Sequence, residues 1–211
     1  WMSDEGGEYK LRLRAASGKG ETKTIALTGT GYFESLVWSP DSTKLAYIDN
    51  SETLYWLDVA GGQVEKVAAV PVYEPRDLCA LRAAWSPDSR WIAYALNNNA
   101  AYHTVYVYSL ETKKSTAVTD GLSDAVEPVF DASGKYLYFL ASTDAGPVIN
   151  WFAQSAEDMR FCRALYLVVL KKGVPSPLAR ESDEEKATDK AEKVGEKAIA
   201  KGEKARDEKA K

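Results

Sequence analysis

The phrase LVWSPDSTKLAYID at residues 36–49 returns as AAWSPDSRWIAYAL at 83–96. Repetition at a fixed period constrains a fold strongly, because it builds stacked or radial architectures. Trp38 aligns with Trp85, Pro40 with Pro87, Asp41 with Asp88 and Tyr47 with Tyr94. A degraded third copy, PVFDASGKYLYFLA, begins at Pro128. It places Phe130 at the tryptophan position and Gly134 where Ser42 and Ser89 stand. The spacing is 47 residues from Trp38 to Trp85 and 45 from Trp85 to Phe130. Periods of roughly 40–50 residues with strand-like content belong to propeller blades, each a sheet of four antiparallel strands.

The turn chemistry agrees. In Ser-Pro-Asp-Ser, serine suits the first position of a type I turn, where its hydroxyl can bond the backbone ahead. Proline presets φ at the second position and a small residue closes the fourth. Ser39–Ser42 and Ser86–Ser89 therefore read as tight turns, which makes Trp38, Pro40, Asp41, Trp85, Pro87 and Asp88 structural. The runs that follow (KLAYI, WIAYAL, YLYFLA) are short and apolar, as inner strands covered on both faces should be. Third strands follow at 54–59, 104–110 and 165–170, and more polar fourth strands at QVEKVA, STAVT and VPSPLA. The last carries two prolines, tolerable only on an outer edge. GEYKLRLRAASGKGETKTIALTG near the start reads as the back half of a preceding blade. The expectation is an all-β partial propeller over 1–180: a half blade at 1–29 and blades at 30–70, 79–120 and 124–180. A β-sandwich with accidental similarity is the alternative, and the in-register turn phrase speaks against it.

Apolar content of 45% and a net charge of −4 fit a soluble protein without a basic stripe, so no nucleic-acid partner is expected. No apolar run reaches the roughly 20 residues of a membrane span, so no membrane partner is expected either. The chain opens at Trp1 inside a blade pattern, which reads as a fragment of a longer protein. Beyond Glu181 the composition turns to Lys, Glu, Asp, Ala and Gly, with only Val194 and Ile199 bulky and apolar. Such a segment cannot bury a face that offsets its chain entropy, so 181–211 is expected to be a disordered or singly helical linker. Cys79 and Cys162 lie far apart without metal-ligand spacing, and reduced thiols are favoured over a long-range pair.

The search for chemistry is mostly negative. There is one histidine, His103, and no G-x-S-x-G elbow. The serines of the Ser-Pro-Asp turns already have a turn to make. No Walker-type or Rossmann glycine pattern occurs, and neither a cofactor nor a metal is expected. NNN at 97–99 and DAVEP at 124–128 read as loops. One asymmetry stands out. The turns on one face of the blades are all tight, whereas the long connections (69–81, 95–103, 119–126 and 141–163) share the other face. Long connections usually bind or cover something. Asn97, His103, Trp151, Phe152 and Arg160 are the candidate peptide contacts there. For Trp151 and Phe152 the alternative is a small core folded back onto the blade.

The repeated WSPDS-x-x-[LI]-A-Y phrase resembles the blades of TolB-like propellers. More narrowly, SDEGGEYKLRLR, DAVEPVFDASGKYLYFLASTDAGP and LYLVVLKKGVPSPLARESDEE resemble the second propeller of tricorn-type proteases, over residues 1–185. That resemblance implies about three and a half blades of a seven-bladed ring. It also implies a parent with a PDZ-like module and a serine-peptidase region, in which the propellers guide or filter peptide substrates. No catalytic residue carries over, because the family's catalytic region has no counterpart in these residues. Implied partners are peptide substrates, the remaining blades, the PDZ-like and catalytic domains, and a homo-oligomer formed through the parent. A cytoplasmic location is expected, with the periplasm as the alternative. The competing reading is a stand-alone TolB-like protein-binding module. A closed ring leaves no long strand edge bare, so an arc with two open flanks is expected to self-associate. Sedimentation as a monodisperse monomer would contradict that.

Overall fold

The computed structural model describes residues 1–71, 80–98, 102–143 and 162–179. The chain divides into two compact units, Trp1–Val174 and Pro175–Lys211, and of the second only residues 175–179 are described. The described residues form fourteen strands in four antiparallel sheets and no helix. The first sheet contains β1 (Met2–Ser3), β2 (Lys10–Leu13) and β3 (Lys23–Ala26). The second contains β4 (Phe33–Trp38), β5 (Lys44–Asp49), β6 (Thr53–Asp58) and β7 (Val64–Ala69). The third contains β8 (Ala84–Trp85), β9 (Trp91–Asn97), β10 (His103–Ser109) and β11 (Lys114–Ala117). The fourth contains β12 (Asp124–Phe130), β13 (Tyr136–Ser142) and β14 (Ala164–Val169). Within every sheet each strand pairs with its neighbour in sequence, the meander of a propeller blade.

The second strands of the two middle blades, β5 and β9, are buried on both faces by their neighbours, and the two faces draw on alternate residues. In β5, Leu45 and Tyr47 pack with Leu11 and Ile25 of the first sheet. Ala46 and Ile48 pack with Trp85, Ile92 and Tyr94 of the third. In β9 the alternation repeats, with Ala93 turned toward Ala125, Leu137 and Phe139 of the fourth sheet. Each such large apolar side chain contributes roughly 1.5–3 kcal/mol by burial. A stacked cross-strand aromatic pair recurs at one repeat position, Tyr47–Tyr55, Tyr94–Tyr106 and Phe139–Tyr166, with centroids 5.3, 5.5 and 5.7 Å apart. Polar ties also cross between sheets: the Trp85 indole N–H donates to the Val37 carbonyl at 3.1 Å, and the Tyr47 hydroxyl to the Thr28 carbonyl at 2.9 Å.

Three local readings are corrected. The first sheet has a further strand, β1, whose two residues are too few to show a period. Residues 174–179 form no strand, because Pro175 and Pro177 have no N–H to give to a ladder. DAVEP is not a loop but the start of β12. Its alternation is hidden by a β-bulge between Val126 and Val129, where Glu127 takes φ +53°. β4 carries the same bulge between Glu34 and Val37, with Ser35 at φ +55°.

The turn phrase behaves as its chemistry predicts. Ser42 N–H donates to the Ser39 carbonyl at 2.9 Å, and Ser39 Oγ accepts from Lys44 N–H at 3.0 Å. Asp41 accepts from Ser39 Oγ (2.6 Å) and from Thr43 N–H (3.0 Å). Ser86 and Asp88 repeat the arrangement, with Ser86 Oγ donating to Asp88 at 2.6 Å. In the third copy the acid and the hydroxyl exchange places. Asp131 accepts from Tyr136 N–H (2.9 Å) and from Ser133 Oγ (2.6 Å), so the copy is degraded in letters but keeps its bonds. The closing position is left-handed in all three, with φ +57° at Ser42 and Ser89 and +66° at Gly134, which explains the glycine. Ser42→Gly is therefore expected to stabilise by about 0.5–1 kcal/mol. At Ser89 the same change also removes the hydroxyl that accepts from Asp41 N–H at 3.1 Å, a loss of about 1 kcal/mol that cancels the gain. Thermal melts of the two variants check this: Tm should rise for the first and stay put for the second.

Candidate functional site

The connections β9–β10, β11–β12 and β13–β14 end on one face, at the starts of β10, β12 and β14. There the structure gathers His103 at the head of β10, Asp124 at the head of β12 and Arg163 immediately before β14. Asp124 Oδ1 accepts from the His103 backbone N–H (3.1 Å) and lies 2.7 Å from His103 Nδ1. Arg163 Nη2 donates to Oδ2 at 3.0 Å. The Asp124 side chain is 1% exposed, that of His103 12% and that of Arg163 20%. Burial alone would raise the Asp124 pKa, but hydrogen bonds from His103 and Arg163 outweigh it and hold it down at about 2. Asp124 is thus ionised and can only accept, so the proton between it and His103 sits on Nδ1. One carboxylate thereby ties the third sheet to the fourth.

Neighbouring contacts knit the same face. Asn98 Nδ2 donates to the Gly121 carbonyl at 3.2 Å, and Tyr102 N–H donates to Asn98 Oδ1 at 3.2 Å. In the second sheet a second buried carboxylate, Asp49, holds the corresponding end. It accepts from the backbone N–H groups of Thr30, Ser51 and Thr53 at 3.0–3.1 Å.

Of the residues expected to contact peptide, Asn97 and His103 come together as register partners at the end where β9 connects to β10, both half-buried. Trp151, Phe152 and Arg160 lie outside the described residues, as does Cys79; Cys162 is exposed. Asp124 and Arg163 were not legible as site residues. Asp124 stood in a stretch that reads as a loop, and Arg163 is a lone cation 39 positions away. Ser142, the register partner of Asp124, is 1% exposed, so its hydroxyl is not presented to a substrate. Among the described residues no group of His, Cys, Asp and Glu could hold a metal ion. A carboxylate with both oxygens engaged suits a brace better than a base or a ligand.

The brace has a pH signature. Because the folded pKa of Asp124 lies below its unfolded value, its stabilisation is complete above about pH 4 and disappears as pH falls through about 2. Asp124→Asn leaves the Arg163 guanidinium without its counter-charge, and is expected to cost about 3 kcal/mol at pH 7. The gap between variant and wild type should narrow toward pH 3. Denaturant titrations at both pH values measure it, and a gap that does not change with pH would contradict the ionised brace.

A family model of the tricorn protease second beta propeller domain matches residues 1–208. The chain is 27% identical over 167 residues to the tricorn protease of Thermoplasma volcanium, covering 76% of this chain and 16% of that protein. It is 25% identical over 173 residues to a tricorn protease homolog of Saccharolobus solfataricus, covering 82% and 15%. It spans less than a fifth of the length of these curated relatives. Among solved structures, a crystal structure of the tricorn protease superposes with a TM-score of 0.64 at 17% identity, covering 85% of this chain and 18% of that one. An oligogalacturonate lyase in complex with manganese superposes at 0.51 with 14% identity, covering 80% and 45%, a likeness of fold alone. With its antiparallel blades of three and four strands, its recurrent turn and a family match over nearly its whole length, the chain belongs to the family of tricorn protease second β-propeller domains.

Proposed function

We propose that this chain is a non-catalytic propeller segment of a tricorn-like serine peptidase, and that it guides or filters peptides toward a catalytic region supplied by the parent. Membership of the second-propeller family carries the reading. The architecture supports it in two ways. The tight turns share one face, whereas the strand ends joined by the long connections share the other. On that face the buried His103–Asp124–Arg163 brace fixes the strand ends from which the connections spring. A rigid rim carrying variable loops is a common way to present contacts to a substrate. Asn97, His103, Trp151, Phe152 and Arg160 are the proposed contacts. The remaining blades and the PDZ-like and catalytic domains are the proposed partners, within a homo-oligomeric parent located in the cytoplasm.

Hydrolysis of short fluorogenic peptides by the parent and by this chain tests the reading. Activity is expected in the parent alone. Turnover by the chain itself would overturn its non-catalytic role, and an inactive parent would overturn the peptidase reading. Within an active parent, Trp151→Ala is expected to raise KM by about three- to tenfold with little change in kcat, the pattern of lost substrate binding without lost chemistry.

A further inference from the structure

Among the described residues the fourth sheet ends at its third strand, where the second and third sheets have a fourth. In the second and third sheets the third strand is flanked by a fourth, β7 beside β6 and β11 beside β10. Among the described residues no strand pairs with the outer edge of β14. Among the described residues that edge has none of the usual guards. Ala164–Val169 contains no charge and no proline, and Leu165 is 68% exposed.

The third sheet shows how such an edge is filled. The Val105 carbonyl accepts from Val118 N–H at 2.8 Å, Val105 N–H donates to Thr119 Oγ1 at 3.1 Å, and the Ser109 carbonyl accepts from Lys113 N–H at 2.9 Å. Val105 is opposite Ala95 in β9, as Leu165 is opposite Leu140 in β13, and Ala95 and Leu140 share one repeat position. Leu165 therefore turns its N–H and C=O away from β13, and by alternation so do Leu167 and Val169. The strand that fills the third sheet's edge, Lys114–Ala117, has all four residues exposed. Its seat selects for backbone rather than for side chains. Beside the C-terminal end of β14 lies a cavity of about 500 Å³, lined in part by Trp91, Val107, Val118, Phe130 and Leu170. It offers apolar walls to a side chain of an added strand.

We infer that the outer edge of β14 is a binding site for an extended peptide, which adds antiparallel to Leu165–Val169 as the fourth strand of the sheet. The site reads main-chain N–H and C=O groups at alternate positions and tolerates varied side chains, as β-augmentation does. It rests on the peptide-handling function proposed above and supplies that function with a mode of capture. Antiparallel pairing directs the carboxyl end of the peptide toward the Arg163 end of β14.

The test uses the full 211-residue chain and a fluorescein-labelled peptide copying residues 114–119, KSTAVT, followed by fluorescence anisotropy. Two changes should each weaken binding by about five- to tenfold, the worth of one or two main-chain hydrogen bonds. One is N-methylation of the peptide at alternate amides. The other is Leu167→Pro, which removes an outward N–H without touching the ladder to β13. Should Leu167→Pro fail to fold, the N-methylated peptide on the wild-type chain carries the test. Absence of binding, or equal binding of the N-methylated peptide, overturns the site. So does sedimentation of a wild-type dimer that Leu167→Pro dissociates, which assigns the edge to a second copy of the chain. Lost binding beside an active parent removes only this site, whereas binding beside an inactive parent removes only the peptidase reading.

Discussion

Two-sided burial of the second strand in the middle blades is the constraint on which the rest of the structure depends. β5 and β9 send alternate side chains into two different cores, so neither strand is stable without a sheet on each side. This makes the stack of blades cooperative and limits where sequence can vary. It also accounts for continuous apolar runs such as KLAYI and WIAYAL, which a half-exposed strand would have interrupted with polar residues. Where the stack stops, the same rule shows in reverse. β13 buries Leu137, Phe139 and Ala141, while Tyr136, Tyr138 and Leu140 on its other face are only partly covered.

The turns set the register on which that burial rests. A one-residue slip would exchange the two cores of a strand, and the Ser-Pro-Asp phrase prevents it by fixing where each strand begins. Asp41 and Asp131 are held below the usual carboxylate range, chiefly by the hydroxyls of Ser39 and Ser133. The two turns reach that state from opposite arrangements of acid and hydroxyl. Letters alone made the third copy look eroded, because identity was lost at both positions while the pair of functions was kept. The phrase is conserved within this chain as a set of bonds.

The long-connection face joins architecture to function. The His103–Asp124–Arg163 brace takes His103 from the third sheet, Asp124 from the fourth and Arg163 from just before β14, where the connection carrying residues 151, 152 and 160 ends. The tight-turn face has its own cross-links, including Asp41 N–H to Ser89 Oγ, with an ion pair between Lys113 and Glu65 at 2.5 Å beside the outer strands. The two faces are thus tied by different chemistry. Exposed pairs such as Lys113–Glu65 contribute little, whereas the buried carboxylate is costly to disturb.

By itself the sequence determined the blade repeat, the turns and the third strands, because these depend on local φ/ψ preference and on side-chain periodicity. It also put His103 and Asn97 on a long connection, as candidate contacts. Only the tertiary structure decided that Asp124 and Arg163 join them, since a contact across 21 or 39 positions leaves no local signal. The bulges at Ser35 and Glu127 were hidden for a related reason: a left-handed residue that is not glycine is chosen by the pairing of two strands. The same holds for the open edge of β14. That VPSPLA does not close the fourth sheet follows from two missing amide protons, but that no described strand pairs with β14's outer edge is a property of the assembled sheet.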